Sequence, residues 1–129
     1  MKGIISVIVL LLGVASIVFG VLFMTQAGGA RDEVAGSIAP VALAELDATY
    51  DAVKANYDAM KAVVEPQIQA GQAEPSSTYN YLTIQKVGLG LARTNVGLAN
   101  YMKYAGIVDI VVGAGLLLAG AALLKKDAV

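Results

Sequence analysis

Gly3–Met24, GIISVIVLLLGVASIVFGVLFM, and Ala105–Leu124, AGIVDIVVGAGLLLAGAALL, decide how this chain folds. As helices rising about 1.5 Å per residue they extend roughly 33 Å and roughly 30 Å, each matching a hydrocarbon core about 30 Å thick. A polar segment separates them. The pattern predicts an all-α membrane protein: two transmembrane helices joined by an extracytoplasmic antiparallel coiled-coil helical hairpin.

Composition narrows the function. The chain has no His, Cys or Trp. Without His or Cys there is no usual ligand set for zinc, copper, haem or an iron–sulfur cluster, and no Ser-His or Cys-His nucleophile pair. No catalytic residue, cofactor or metal is expected, and the protein does not read as an enzyme. Asp47, Asp51, Asp58 and Glu65 fit the solvated face of a helix, and no calcium-loop motif is present. The absence of Cys removes disulfides and a lipoprotein anchor. Net charge is −1, and the only adjacent cations are Lys125 and Lys126, so no nucleic acid partner is expected.

Lys2 precedes the first span and Lys125 and Lys126 follow the second. By the positive-inside rule both termini are cytoplasmic and residues 25–103 extracytoplasmic, although Arg31 and Lys103 dilute the bias. The expected location is a prokaryotic plasma membrane. A rival reading makes residues 1–27 a signal peptide cleaved near Thr25-Gln26-Ala27. The first apolar run is longer than the 7 to 15 residues or so of a signal h-region, which favours a retained anchor.

The polar segment holds three successive heptads, LAELDAT, YDAVKAN and YDAMKAV, from Leu43 to Val63. Leu43, Leu46, Tyr50, Val53, Tyr57, Met60 and Val64 alternate three and four apart and form the expected coiled-coil seam. Asp51 with Lys54 and Asp58 with Lys61 are spaced to support the helix surface. The helix is expected to weaken at Glu65-Pro66, or to continue kinked as far as Gly71. Gly71–Ser77 reads as the tip, with Ser76 or Ser77 capping a second arm that runs from Thr78 straight into the second span. Gly88, Gly90 and Gly97 on that arm read as contact points.

Small residues recur every seven positions at Ser6, Gly13, Gly20 and Ala27, and again at Ala92, Ala99, Gly106, Gly113 and Gly120. Such residues form grooves by which membrane helices approach closely. Pairing Ser6 with Gly120, Gly13 with Gly113, Gly20 with Gly106 and Ala27 with Ala99 keeps the sum of residue numbers at about 126, as antiparallel packing requires. Packing of these faces against other subunits is the alternative. The arms flanking the tip sum to about 143, so extra residues must lie between Ala27 and the first heptad. The expected organisation is residues 1–27 as transmembrane helix 1, and 28–41 (GGARDEVAGSIAPV) as an irregular or short helical juxtamembrane insert. Residues 42–103 then form the coiled-coil hairpin with its tip at 66–77, and 104–129 transmembrane helix 2 and a short cytoplasmic tail. Pro40 is expected in the first turn of the coil helix.

Asp109 is the one ionisable residue inside a span and the candidate intramembrane polar site; at its shallow depth it suits the headgroup level, a water pocket, or a place facing Thr25 and Gln26. Asn95 and Asn100 suit register fixing, Tyr101 and Tyr104 interfacial anchoring, and Tyr50 and Tyr57 seam packing. The leading functional reading is a small structural or interaction protein that self-associates as a homo-oligomer, or serves as an accessory subunit or scaffold of a larger membrane complex. An oligomeric pore or ion-coupled subunit using Asp109 is a second reading. The outline is similar to that of four-helix-bundle chemoreceptor sensor domains, which gives a third: a sensory module without its own output domain, since five residues follow the second span.

Overall fold

The computed structural model describes residues 2–127, whose regular elements are all helical. Helix α1 spans Lys2–Ser37, a 3₁₀ turn spans Leu43–Glu45, α2 spans Leu46–Gln69 and α3 spans Ser77–Asp127. Met1 and the end of the expected tail, Ala128 and Val129, lie outside the described residues. The helices divide between two compact units, Met1–Ala30 with Leu98–Val129 and Arg31–Gly97. Both α1 and α3 are long and apolar enough to cross a membrane.

In the first unit the two apolar segments meet along small residues. Ser6, Gly13, Gly20 and Ala27 of α1 are buried, as are Ala99, Gly106, Gly113 and Gly120 of α3. Gly13 lies against Gly113 and Gly20 against Gly106, so one partner rises by seven as the other falls by seven, and the segments run in opposite directions. Most of the large side chains point away from this contact. Ile4, Leu11, Phe19, Val111 and Leu118 are all more than half exposed.

Helix α1 does not break at Gly28-Gly29, the start of the juxtamembrane insert that the sequence predicts. Two interior glycines cost about 1 kcal/mol each relative to alanine. Burial on either side holds the helix through them: Ala27 is buried, and so is Val34, the next position in the seven-residue series. The chain leaves helix only after Ser37, in a short turn closed by the Val41 N–H donating to the Ile38 carbonyl at 2.9 Å. Pro40 sits in that turn, not in the first turn of α2, because Ala42 is extended (φ −74°, ψ 148°) and the 3₁₀ turn intervenes.

The second unit is built around Val34, Leu46 and Ala92, with Ile38, Leu43, Leu89 and Val96 packed on them. Along α2 the expected seam residues form the shielded side: Leu46 is buried, and Tyr50, Val53, Tyr57, Met60 and Val64 are half-buried. Pro66 does not end this helix, which continues to Gln69. It closes at Gly71 instead. Gln72 N–H donates to the Gln67 carbonyl at 2.8 Å and Gly71 N–H to the Ile68 carbonyl at 3.0 Å, the paired bonds of a Schellman motif. Gly71 has φ +67°, which an L side chain adopts at a cost. The connection is thus 70–76, shorter than the 66–77 read from the sequence. Ser76 Oγ accepts the Tyr79 N–H at 3.2 Å and caps α3.

Surface pairs on α2 join residues four apart. Lys54 Nζ meets Asp58 Oδ2 at 2.7 Å and Lys61 Nζ meets Glu65 Oε2 at 3.5 Å. The three-residue pairs expected from spacing are not used, because Asp51 is turned toward Arg93 Nη1, 3.8 Å away, and Asp58 toward Lys54. The hydrogen bond from Lys54 holds the Asp58 carboxyl below its ordinary range and lifts the Lys54 ammonium above its own.

Replacing Gly71 by Ala forces a Cβ into left-handed geometry without any new contact, since nothing lies within 4 Å. The expected loss is about 1–2 kcal/mol, read as a lower unfolding midpoint by circular dichroism in detergent. An unchanged midpoint would mean that the Gly71 conformation does not close α2.

Candidate functional site

The candidate site is a pair of packing faces, and its geometry is set by the absence of side chains. A Cβ built on Gly20 would lie 2.5 Å from the Gly106 carbonyl oxygen, and one on Gly106 equally close to the Gly20 oxygen. At Gly13 and Gly113 the corresponding distances are 2.9 and 2.7 Å. Real Cβ atoms do not approach so closely, so these backbones touch with no room for alanine. At Gly120 the nearest atoms are those of Leu10: a Cβ there would lie 2.7 Å from Leu10 Cγ. Ser6, Ala27 and Ala99 are each no more than 2 % exposed. Ala92 belongs to the other unit, where it packs with Val34 and Leu46.

Beside each of these five glycines stands a large residue from the opposite helix. Leu10, Ile17 and Met24 of α1 cover Gly120, Gly113 and Gly106, while Leu117 and Ile110 of α3 cover Gly13 and Gly20. These five also recur at sevens, each four residues past a small position of its own helix. The result is a reciprocal fit of large knobs over glycine holes, which maximises van der Waals contact between closely spaced helices. Sequence reasoning named only the small half of this set; the signal for the rest was the apolar residue four places after Ser6, Gly13, Gly20, Gly106 and Gly113. Val34 was also missed, because it is large although it continues the same period.

Asp109 is half-buried, and its backbone carbonyl accepts a hydrogen bond from Ser16 Oγ at 2.7 Å. This interhelical bond therefore runs from Ser16 to the backbone of Asp109, not to its carboxylate. The Thr25 hydroxyl turns back to the Val21 carbonyl of its own helix at 2.9 Å. Tyr101, Tyr104 and Asn95 are exposed, and Asn100 is half-buried.

In the second unit the seam tyrosines are engaged by α3. Arg93 Cζ stands 4.6 Å from the Tyr50 ring centroid, while its Nε meets Asp47 Oδ1 at 2.7 Å. A Cβ on Gly90 would come within 3.2 Å of Tyr50 Cε2, so this glycine admits the ring. Gly88 and Gly97 face open space and are not contact points within the chain. About two turns toward the tip, Tyr57 stacks on Tyr79 with centroids 5.7 Å apart, and Lys86 Nζ lies 4.1 Å from the Tyr57 centroid. Hydrogen bonding with the Tyr57 phenol raises the Tyr79 hydroxyl above its ordinary range. Two aromatic–cation contacts thus clasp α2 to α3, each of a kind worth about 0.5–1 kcal/mol at exposed sites.

Among the described residues no group of three or more His, Cys, Asp or Glu is placed to hold a metal ion. No protein family, curated protein or solved structure matches the chain.

The glycine contacts give a contrast in one substitution. Gly20→Ala or Gly106→Ala is expected to lower unfolding stability in detergent by about 1–3 kcal/mol through overpacking. Gly28→Ala meets nothing within 4 Å and is expected to be neutral or to gain up to about 1 kcal/mol. Equal effects at all three positions would refute a backbone contact at Gly20 and Gly106.

Proposed function

We propose that this chain is a small integral membrane protein of structural or interaction type. Helices α1 and α3 cross the bilayer, both termini are cytoplasmic, and residues 25–103 form an extracytoplasmic antiparallel coiled-coil hairpin. The observation that carries this reading is an inverted distribution of side chains. In the first unit every buried residue among those described is Gly, Ala or Ser, while most Ile, Leu, Val and Phe are exposed. Only 11 % of the most apolar stretch of each long helix is buried. A water-soluble fold buries large apolar residues and rarely exposes extensive apolar patches. Lipid removes that driving force and rewards close approach through small residues, which is what the helices do. Lys125 and Lys126 in the last turn of α3 support the orientation.

The apolar faces that remain uncovered support association with copies of the chain or with a larger membrane complex. Composition agrees: without His or Cys the chemistry this chain can offer is contact, not conversion. Its work in this reading is to hold other spans in place, as scaffold or accessory subunit.

Since the chain has no Cys, single thiols report topology without background. A thiol at Glu74→Cys, in the tip, is expected to react with a membrane-impermeant maleimide on intact cells. One at Lys126→Cys is expected to react only after permeabilisation, with the protein retained in membranes after alkaline extraction. Release by alkali, or the opposite labelling pattern, would overturn the membrane assignment or its orientation. A strictly monomeric species with no co-purifying partner in mild detergent would overturn the interaction role.

A further inference from the structure

The second unit has two unlike outer surfaces. The exposed side of α2 is charged, carrying Lys54, Asp58 and Lys61. The exposed side of α3 is not. Its two charged residues in this unit, Lys86 and Arg93, are both turned to α2, against Tyr57 and Asp58 and against Tyr50 and Asp47. What α3 presents outward is Ile84, Val87 and Leu91, 71 %, 65 % and 61 % exposed. With Thr94 they alternate three and four apart. Thr94 belongs to the row without leaving a donor unmet, because its hydroxyl bonds the Gly90 carbonyl at 3.2 Å.

This row is a second seam. It is displaced by two residues from the inward row Leu82, Leu89 and Val96, and two residues at about 100° each place it on the opposite side of the helix. The uncharged surface widens beside it. Ile38, Pro40 and Val41 line an open groove of about 490 Å³ together with Gly88 and Leu91, and a Cβ on Gly88 would meet nothing within 4 Å.

We infer that the outward row Ile84, Val87, Leu91 and Thr94 of α3 is a self-association seam that pairs with the same row of a second copy, in parallel and in register. The inference rests on the membrane reading above, because two copies inserted in one bilayer with one orientation have their α3 helices parallel. A two-fold axis along the membrane normal then sets each residue opposite its own counterpart. Any charge on such a face would meet its like, so a face built for this contact must be uncharged; the α3 face is, and the α2 face is not. A 3–4 row of apolar residues is the pattern that knobs-into-holes pairing needs. The row is short against the roughly 20–30 residues per side of a stable soluble interface. Confinement of both copies to one membrane supplies the effective concentration that a short seam lacks.

The test uses the full chain in its membrane. Single substitutions Ile84→Cys, Val87→Cys and Leu91→Cys are oxidised and read as disulfide-linked dimers, beside Lys54→Cys on the charged face; maleimide labelling of each thiol confirms a folded, accessible site. Strong crosslinks at 84, 87 and 91 and loss of signal at 54 are expected. Leu91→Glu added to Ile84→Cys is expected to abolish the crosslink by placing like charges together. Co-expression with a chain carrying Ile84→Cys and Leu91→Lys is expected to restore it. A dimer that persists in mild detergent while crosslinks favour 54 overturns this seam and leaves self-association standing. A monomer in detergent with no crosslink at any position overturns both. A heavier adduct to a different protein at 84 or 91 overturns the second copy as occupant.

Discussion

The contact between the Gly20 and Gly106 backbones is the constraint on which the first unit depends. Each glycine leaves a gap that the carbonyl oxygen of the other fills, and no side chain intervenes. Because the backbones meet there, the large residues one turn away, Met24 and Ile110, lie over the partner's glycine. The same exchange repeats seven residues along at Gly13, Gly113, Ile17 and Leu117. A hole without its knob would be a void, and a knob without its hole a clash, so the two sets depend on each other. Ser16 adds one directional bond to this row through the Asp109 carbonyl.

Within the second unit Ala92 has a different task. It is the residue of α3 on which Val34 of α1 and Leu46 of α2 both pack, so one small side chain accepts two successive partners. Between Val34 and Leu46 the chain must leave one helix and start another within a short span. The turn after Ser37 and the 3₁₀ segment Leu43–Glu45 do this, and Ile38 and Leu43, at its two ends, pack back onto the same cluster. From there the pairing of α3 passes to Tyr50 and Tyr57, held by Arg93 and Lys86.

The helices, the two long apolar segments and the seven-residue recurrences are legible in the sequence because each rests on local periodicity. What escapes it depends on competition. Pairing arithmetic places an excess of residues between Ala27 and the first heptad, but Gly28-Gly29 looks like the break and is not, since burial of Ala27 and Val34 outweighs the propensity of two glycines. Pro66 looks like a helix end, yet α2 continues to Gln69 and ends where Gly71 supplies a left-handed residue. The large knobs Leu10, Ile17 and Met24 are hidden for another reason. In an almost wholly apolar run their one mark is the spacing of four from a small residue, which gains meaning only once the partner helix is in place.

Helix α3 changes its packing chemistry along its length, and the change follows the solvent proposed for each part. From Ala99 through Gly106, Gly113 and Gly120 its inward residues are the smallest available. Toward the tip the inward row becomes Leu82, Leu89 and Val96, flanked by Lys86 and Arg93. Water makes burial of leucine favourable in itself, at roughly 25 cal/mol for each Å² of apolar surface removed. Lipid offers no such gain, so contact there comes from dispersion between close-packed atoms and favours glycine. By the same reasoning an exposed leucine is costless where lipid covers it and costly where water does. Leu118 and Leu91 are both exposed. Leu118 lies in the segment assigned to the bilayer, but Leu91 lies in the unit assigned to water, and its exposure is the one that calls for a partner.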